Sequence, residues 1–88
     1  MIMMTEKCQK VYVKVQAEFS EEGRLIPQCI IWSDGHRFEI DRVKDCRRAA
    51  SLKAGGAGLR YTVMVCGKER YLYYEENYRW FVEAKVYE

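Results

Sequence analysis

Arg42, Lys44, Arg47, Arg48, Lys53 and Arg60 gather six cations into a stretch holding only two acids, Asp41 and Asp45, and the chain then runs on through Tyr71, Tyr73 and Trp80. Cations that track a phosphate backbone and flat rings that lie under bases are how single-stranded nucleic acid is held, each stacked base contributing about 1 to 3 kcal/mol. A plainer reading competes with this one: the cations solvate a loop and the rings fill a core or a dimer contact. The lack of an RNA-binding signature favours the plainer reading. The same rings could line a groove for a proline-rich or extended peptide, and an edge strand carrying Pro27 could dock another strand.

Other chemistry finds little support. Cys8, Cys29, Cys46 and Cys66 are 21, 17 and 20 residues apart, which excludes the close pairs of zinc and redox motifs, and a single histidine cannot complete a metal site with them except by accident of folding. No metal and no cofactor is expected. Cys46 lies beside Arg47 and Arg48, which would favour its thiolate, yet buried quiet thiols are commoner. Gly55-Gly56-Ala57-Gly58 lacks the Lys-Ser/Thr of a phosphate-binding loop and reads as a flexible joint. His36 flanks a tight turn with no nucleophile assignable to it, so no catalytic constellation forms and the chain reads as a non-enzyme.

These residues need a frame, and 88 residues supply one small domain with a modest core. A formal charge of +2, from 15 basic and 13 acidic residues, is too mild to demand a polyanionic partner, so the basic segment hangs on a slightly acidic body. Four apolar residues open the chain, but Glu6, Lys7, Gln9 and Lys10 interrupt them before a signal core or membrane span can form, which predicts a cytoplasmic protein.

Val11, Val13, Val15, Ala17 and Phe19 alternate with polar residues at the period of a half-buried strand. Ser20-Glu21-Glu22-Gly23 breaks it, and Pro27 marks a strand start or edge. Taking Asp34-Gly35 as a two-residue reversal opposes Trp32 to Arg37, Ile31 to Phe38 and Cys29 to Ile40, with Ile30 and Trp32 on the mixed face. From Val43 to Leu59 alternation fails, which predicts a loop or a short helix around Arg47–Ala54. Taking Gly67-Lys68 and Glu76-Asn77 as the next reversals makes a meander. One face then holds Tyr61, Val63, Val65, Leu72, Tyr74 and Phe81, and the other holds Thr62, Met64, Tyr71, Tyr73, Trp80 and Val82. Two apolar faces call for a rolled sheet.

Trp32-x-Asp34-Gly35-x-x-Phe38-x-Ile40-Asp41-x-Val43, Arg60-Tyr61-x-Val63, Tyr71-Leu72-Tyr73 and Arg79-Trp80-Phe81-Val82-Glu83 resemble a family of small uncharacterised bacterial domains with an SH3-like β-barrel fold. Similar segments are also found appended to proteins of DNA-repair polymerase type. The resemblance spans roughly residues 10 to 86 and implies a fold, with no catalytic or binding residue to carry over. The expected architecture is all-β: a flexible segment over 1–9, then one SH3-like barrel over 10–88 with five or six antiparallel strands and one long basic loop or short helix. The expected function is a non-enzymatic binding module. Nucleic acid ranks first, through Arg42, Lys44, Arg47, Arg48, Lys53, Arg60, Tyr71, Tyr73 and Trp80; a protein-interaction or homodimerisation module is the alternative. No membrane partner is expected, and the molecule is a monomer or a homodimer seated on the Tyr71, Tyr73 and Trp80 face.

Overall fold

Alternating side chains carry the chain into six antiparallel strands in the computed structural model, which describes residues 6–48 and 58–87. They are β1 (Glu6–Phe19), β2 (Leu25–Ile31), β3 (Arg37–Arg48), β4 (Gly58–Val65), β5 (Lys68–Glu75) and β6 (Trp80–Tyr87). Each pairs with its neighbour in sequence and β6 returns to β1, closing a barrel of the small SH3-like kind. No helix occurs among the described residues, so none is long and apolar enough to cross a membrane. β1 starts at Glu6, which makes residues 6–9 part of the first strand rather than a segment ahead of the barrel.

Two long strands close the ring by serving both sides of it. The first half of β1 pairs with β6, from Glu6 opposite Tyr87 to Val13 opposite Trp80, and its second half pairs with β2. β3 likewise begins against β2, with Ile31 opposite Arg37, and continues against β4. The loop or short helix expected from Val43 onward is strand as far as Arg48. Two irregularities, between Ile40 and Arg42 and between Val43 and Asp45, leave Asp41 and Lys44 without opposite partners. Each extra residue resets the phase, so Ile40, Val43 and Cys46 fall on one face at spacings of three, and a simple period of two cannot be seen. Residues 49–57, including Lys53 and the glycine-alanine run from Gly55 to Ala57, lie outside the described residues, as do residues 1–5.

The reversals correct the expected registers. At the β2–β3 loop, Trp32 N donates to His36 O at 2.8 Å and Gly35 N donates to Trp32 O at 2.9 Å. Gly35, at φ 89°, is therefore the third residue of a three-residue loop, and Ile30 faces Phe38 rather than Glu39. The β5–β6 loop repeats this arrangement: Glu75 N donates to Arg79 O at 2.9 Å, Tyr78 N donates to Glu75 O at 3.0 Å, and Tyr78 takes the left-handed position at φ 65°. Tyr74 then opposes Trp80 and Tyr73 opposes Phe81. Between β4 and β5 the two-residue turn is Cys66-Gly67, at φ 52° and 74°, two places from the expected pairing. A displacement of two preserves faces, whereas a displacement of one exchanges them.

Ile30, Tyr61, Val63, Val65 and Leu72 form the buried centre, packed by Val13, Val15, Phe38, Ile40, Val43, Leu59, Tyr74, Trp80 and Val82. Trp80 belongs to this interior, its ring 4.7 Å from Tyr74 and 5.4 Å from Tyr61. It cannot seat a dimer as expected, because the slipped β5–β6 register turns it inward. The Tyr61 hydroxyl donates to Leu25 O at 2.5 Å, tying β4 to β2 across the barrel. Desolvation, with Cys46 beside it, raises the tyrosine's pKa.

Candidate nucleic-acid interface

The outward face of β3, β4 and β5 is built by register. Opposite pairs place Arg42 with Met64, Asp45 with Thr62, and Arg47 with Arg60, and β5 adds Tyr71 beside Thr62 and Tyr73 beside Arg60. Arg42, Arg47, Arg60, Tyr71 and Tyr73, anticipated as binding residues, thus share one face. Lys44, the second bulge residue, reaches Glu69 at 3.1 Å, and Arg47 Nε sits 2.7 Å from Asp45, so acids on the same surface offset part of the positive charge. Arg48 opposes Leu59 and stands out of phase with Arg47. Trp80 faces inward, and Lys53 is outside the described residues.

Of the rings, Tyr71 is the accessible one, at 48% exposure. The Arg60 guanidinium carbon lies 4.8 Å from its ring centre, a stacked cation–π contact, and Arg60 Nε is buried without a hydrogen-bond partner among the described residues. Tyr73 does not offer a free ring. It is stacked on Phe81 at 4.8 Å and 5° between planes, and its hydroxyl donates to Glu83 at 2.8 Å. Burial first, and then the bond to Glu83, push its phenol pKa up to about 12.

Phe81, 1% exposed although it points away from the barrel interior, is the centre of this outer layer. Tyr12 meets it edge-on at 6.1 Å, and Lys10 Nζ lies 5.0 Å over its ring on the way to Glu75, 2.7 Å away. Glu75 also accepts from the Tyr12 hydroxyl at 2.5 Å. The Lys10 bond first and the Tyr12 bond second hold the Glu75 carboxyl below its ordinary pKa, and the same partnership raises that of Lys10. Arg79 stacks on Tyr12 at 3.6 Å. Sequence alternation could not reveal this layer, because it assigned Phe81 to the opposite face.

A cleft opens beside Tyr71 where β5 and β6 part. Their ladder consists of Tyr73 with Phe81 and Tyr74 with Trp80, so Arg70 and Tyr71 on one side stand away from Val82 and Glu83 on the other. The tip of the β2–β3 hairpin completes the walls. The cleft encloses about 590 Å³, floored by Ile30, Phe38, Val65 and Val82 and rimmed by Trp32, Asp34, His36, Arg70, Tyr71 and Glu83. His36 stacks on Phe38 at 5.8 Å and, through its backbone N–H, donates to Asp34 Oδ1 at 2.8 Å, which lowers the aspartate's pKa. Sequence alternation places Trp32 on a mixed face beside Arg37 and His36 at a turn. Instead they oppose each other across the loop, and Arg37 bonds Gln16 at 2.8 Å. The signal that could have found them is Gly35 itself, read as third in its loop.

A second groove, about 1040 Å³, lies where β2 parts from β3 at the other side, lined by Phe19, Ile26, Val43, Cys46, Tyr61 and Tyr78 among others. Pro27 sits on the stretch of β2 that pairs with β1 but not with β3, the position an imino acid tolerates. Among the described residues no three His, Cys, Asp or Glu side chains gather as metal ligands. Comparison with protein-family models, curated proteins and solved structures returns no match. The family resemblance therefore stands on its motif residues alone.

Proposed function

We propose that this chain is a cytoplasmic, non-enzymatic binding module for single-stranded nucleic acid. It holds phosphates along Arg42, Arg47 and Arg60 and one base against Tyr71. The observation that carries the reading is the Arg60–Tyr71 stack at 4.8 Å, with Arg47 directly opposite Arg60 on the same outward face. A guanidinium over an exposed ring brings positive charge and an aromatic surface together, the pairing a stacked nucleotide needs. The platform is narrower than three rings would make it, so affinity depends more on phosphates and less on stacking.

Fluorescence anisotropy with labelled single-stranded and duplex oligonucleotides at two salt concentrations tests it. Binding should prefer the single strand and weaken with salt, and Arg47→Ala with Arg60→Ala should flatten the slope of log K against log salt by about 0.7 per lost contact. Absence of binding at micromolar protein in low salt would overturn the proposal. A second reading, a protein-interaction module, draws on the β2–β3 groove, whose rim exposes Phe19 at 71% and Tyr78 at 81%. Sedimentation over a range of concentrations, with Phe19→Ser as the perturbing variant, tests that reading.

A further inference from the structure

We infer that the cleft between β5 and β6 receives one unstacked nucleobase of the bound strand, with Trp32 and Tyr71 as its stacking rings. This inference rests on the strand-binding reading above and gives the base held against Tyr71 its seat. Three observations converge. The cleft is ring-lined, with Trp32, His36, Phe38 and Tyr71 around an apolar floor, and its volume falls in the range of small-ligand sites, about 300 to 1,000 Å³. Its rim carries both donors and acceptors, from Arg70, Asp34 and Glu83, matching the mixed edge of a base rather than a purely apolar side chain.

The third observation is continuity. Tyr71 lines the cleft and also carries Arg60 on its ring, so the cleft opens onto the cationic face. A base seated in the cleft leaves its flanking phosphates beside Arg60 and Arg70. A proline-rich peptide would meet the same rings but has no use for those cations, which is why a nucleotide is the occupant chosen.

The chain has two tryptophans, so Trp80→Phe leaves Trp32 as the sole reporter. Titrating that variant with oligothymidylate should quench its emission, and an abasic strand of equal length should not. In the wild-type background Trp32→Ala should weaken oligothymidylate binding about 5- to 150-fold, the equivalent of one stacked base, while Trp32→Phe, which keeps a ring, should restore most of it. If the strand binds with its salt dependence intact but abasic and base-bearing strands bind alike, the cleft proposal falls and the outer-face reading survives. Should thymidine monophosphate quench Trp32 while no strand binds, the base site stands and the strand-binding reading falls. Quenching by a proline-rich peptide but by no nucleotide overturns the cleft proposal.

Discussion

Phe81→Ala measures whether the outward aromatic layer is a second core. Phe81 is 1% exposed, stacked on Tyr73 at 4.8 Å, met edge-on by Tyr12 and roofed by Lys10. Truncating a ring so enclosed removes its transfer free energy and leaves a cavity that the flanking strands, hydrogen-bonded on both sides of β6, cannot collapse; such changes cost about 3 to 5 kcal/mol. Against a domain stability of about 5 to 15 kcal/mol that is a large share, and at about 4 to 8 °C per kcal/mol it lowers the melting temperature by at least about 12 °C. Phe81→Leu separates shape from area. It keeps most of the apolar volume and loses the ring contacts to Tyr73 and Tyr12, so it should cost about 1 to 2 kcal/mol. Urea unfolding followed by circular dichroism gives both values. A cost for Phe81→Ala below about 1 kcal/mol would refute the second-core argument and return Tyr73 to the set of free stacking rings.

Two further perturbations test the frame. Because Glu75 is held below its ordinary pKa, its contribution to stability is complete above about pH 4.5 and is lost as pH falls through the lower, folded-state value. Glu75→Gln should cost about 1 kcal/mol at neutral pH, and that difference should shrink in acid when urea midpoints are compared; a difference independent of pH would remove the charge from the explanation. At Gly58, φ 152°, an added Cβ would overlap the Tyr74 carbonyl oxygen and come within 3.0 Å of the Glu75 Cα, both backbone. Gly58→Ala should therefore lose more than about 2 kcal/mol, whereas Gly67→Ala, with positive φ but open space around it, should lose about 1. Equal urea midpoints for the two variants would mean that the overlap relaxes at no cost.

What the sequence disclosed was the existence of the strands, their antiparallel order and the rolled sheet; what it withheld was phase. Gly35 announces a reversal, but a glycine serves equally as second or third residue of a loop, and the choice moves every partner by one. At the β5–β6 loop the left-handed residue is Tyr78, which no turn rule flags, so Trp80 and Phe81 exchanged faces. The β4–β5 faces were read correctly despite a displaced turn because the displacement was even. In β3 the unpaired Asp41 and Lys44 disguise a strand as a loop. Of the candidate site, Arg42, Arg47, Arg60, Tyr71 and Tyr73 do converge. The cleft beside them was illegible because it depends on where β5 and β6 stop pairing, a property of curvature rather than of residue type.

The partnership between β1 and β6 joins the segments farthest apart along the polypeptide, Glu6 opposite Tyr87. During synthesis the ring therefore stays open until residues 80–87 leave the ribosome, and until then the ladder groups of β1 from Glu6 to Val13, the half that pairs with β6, have no resident partner. Such distant pairing predicts slow folding, in the millisecond-to-second regime of β-rich topologies, and makes the nascent chain dependent on escape from premature strand capture by its neighbours.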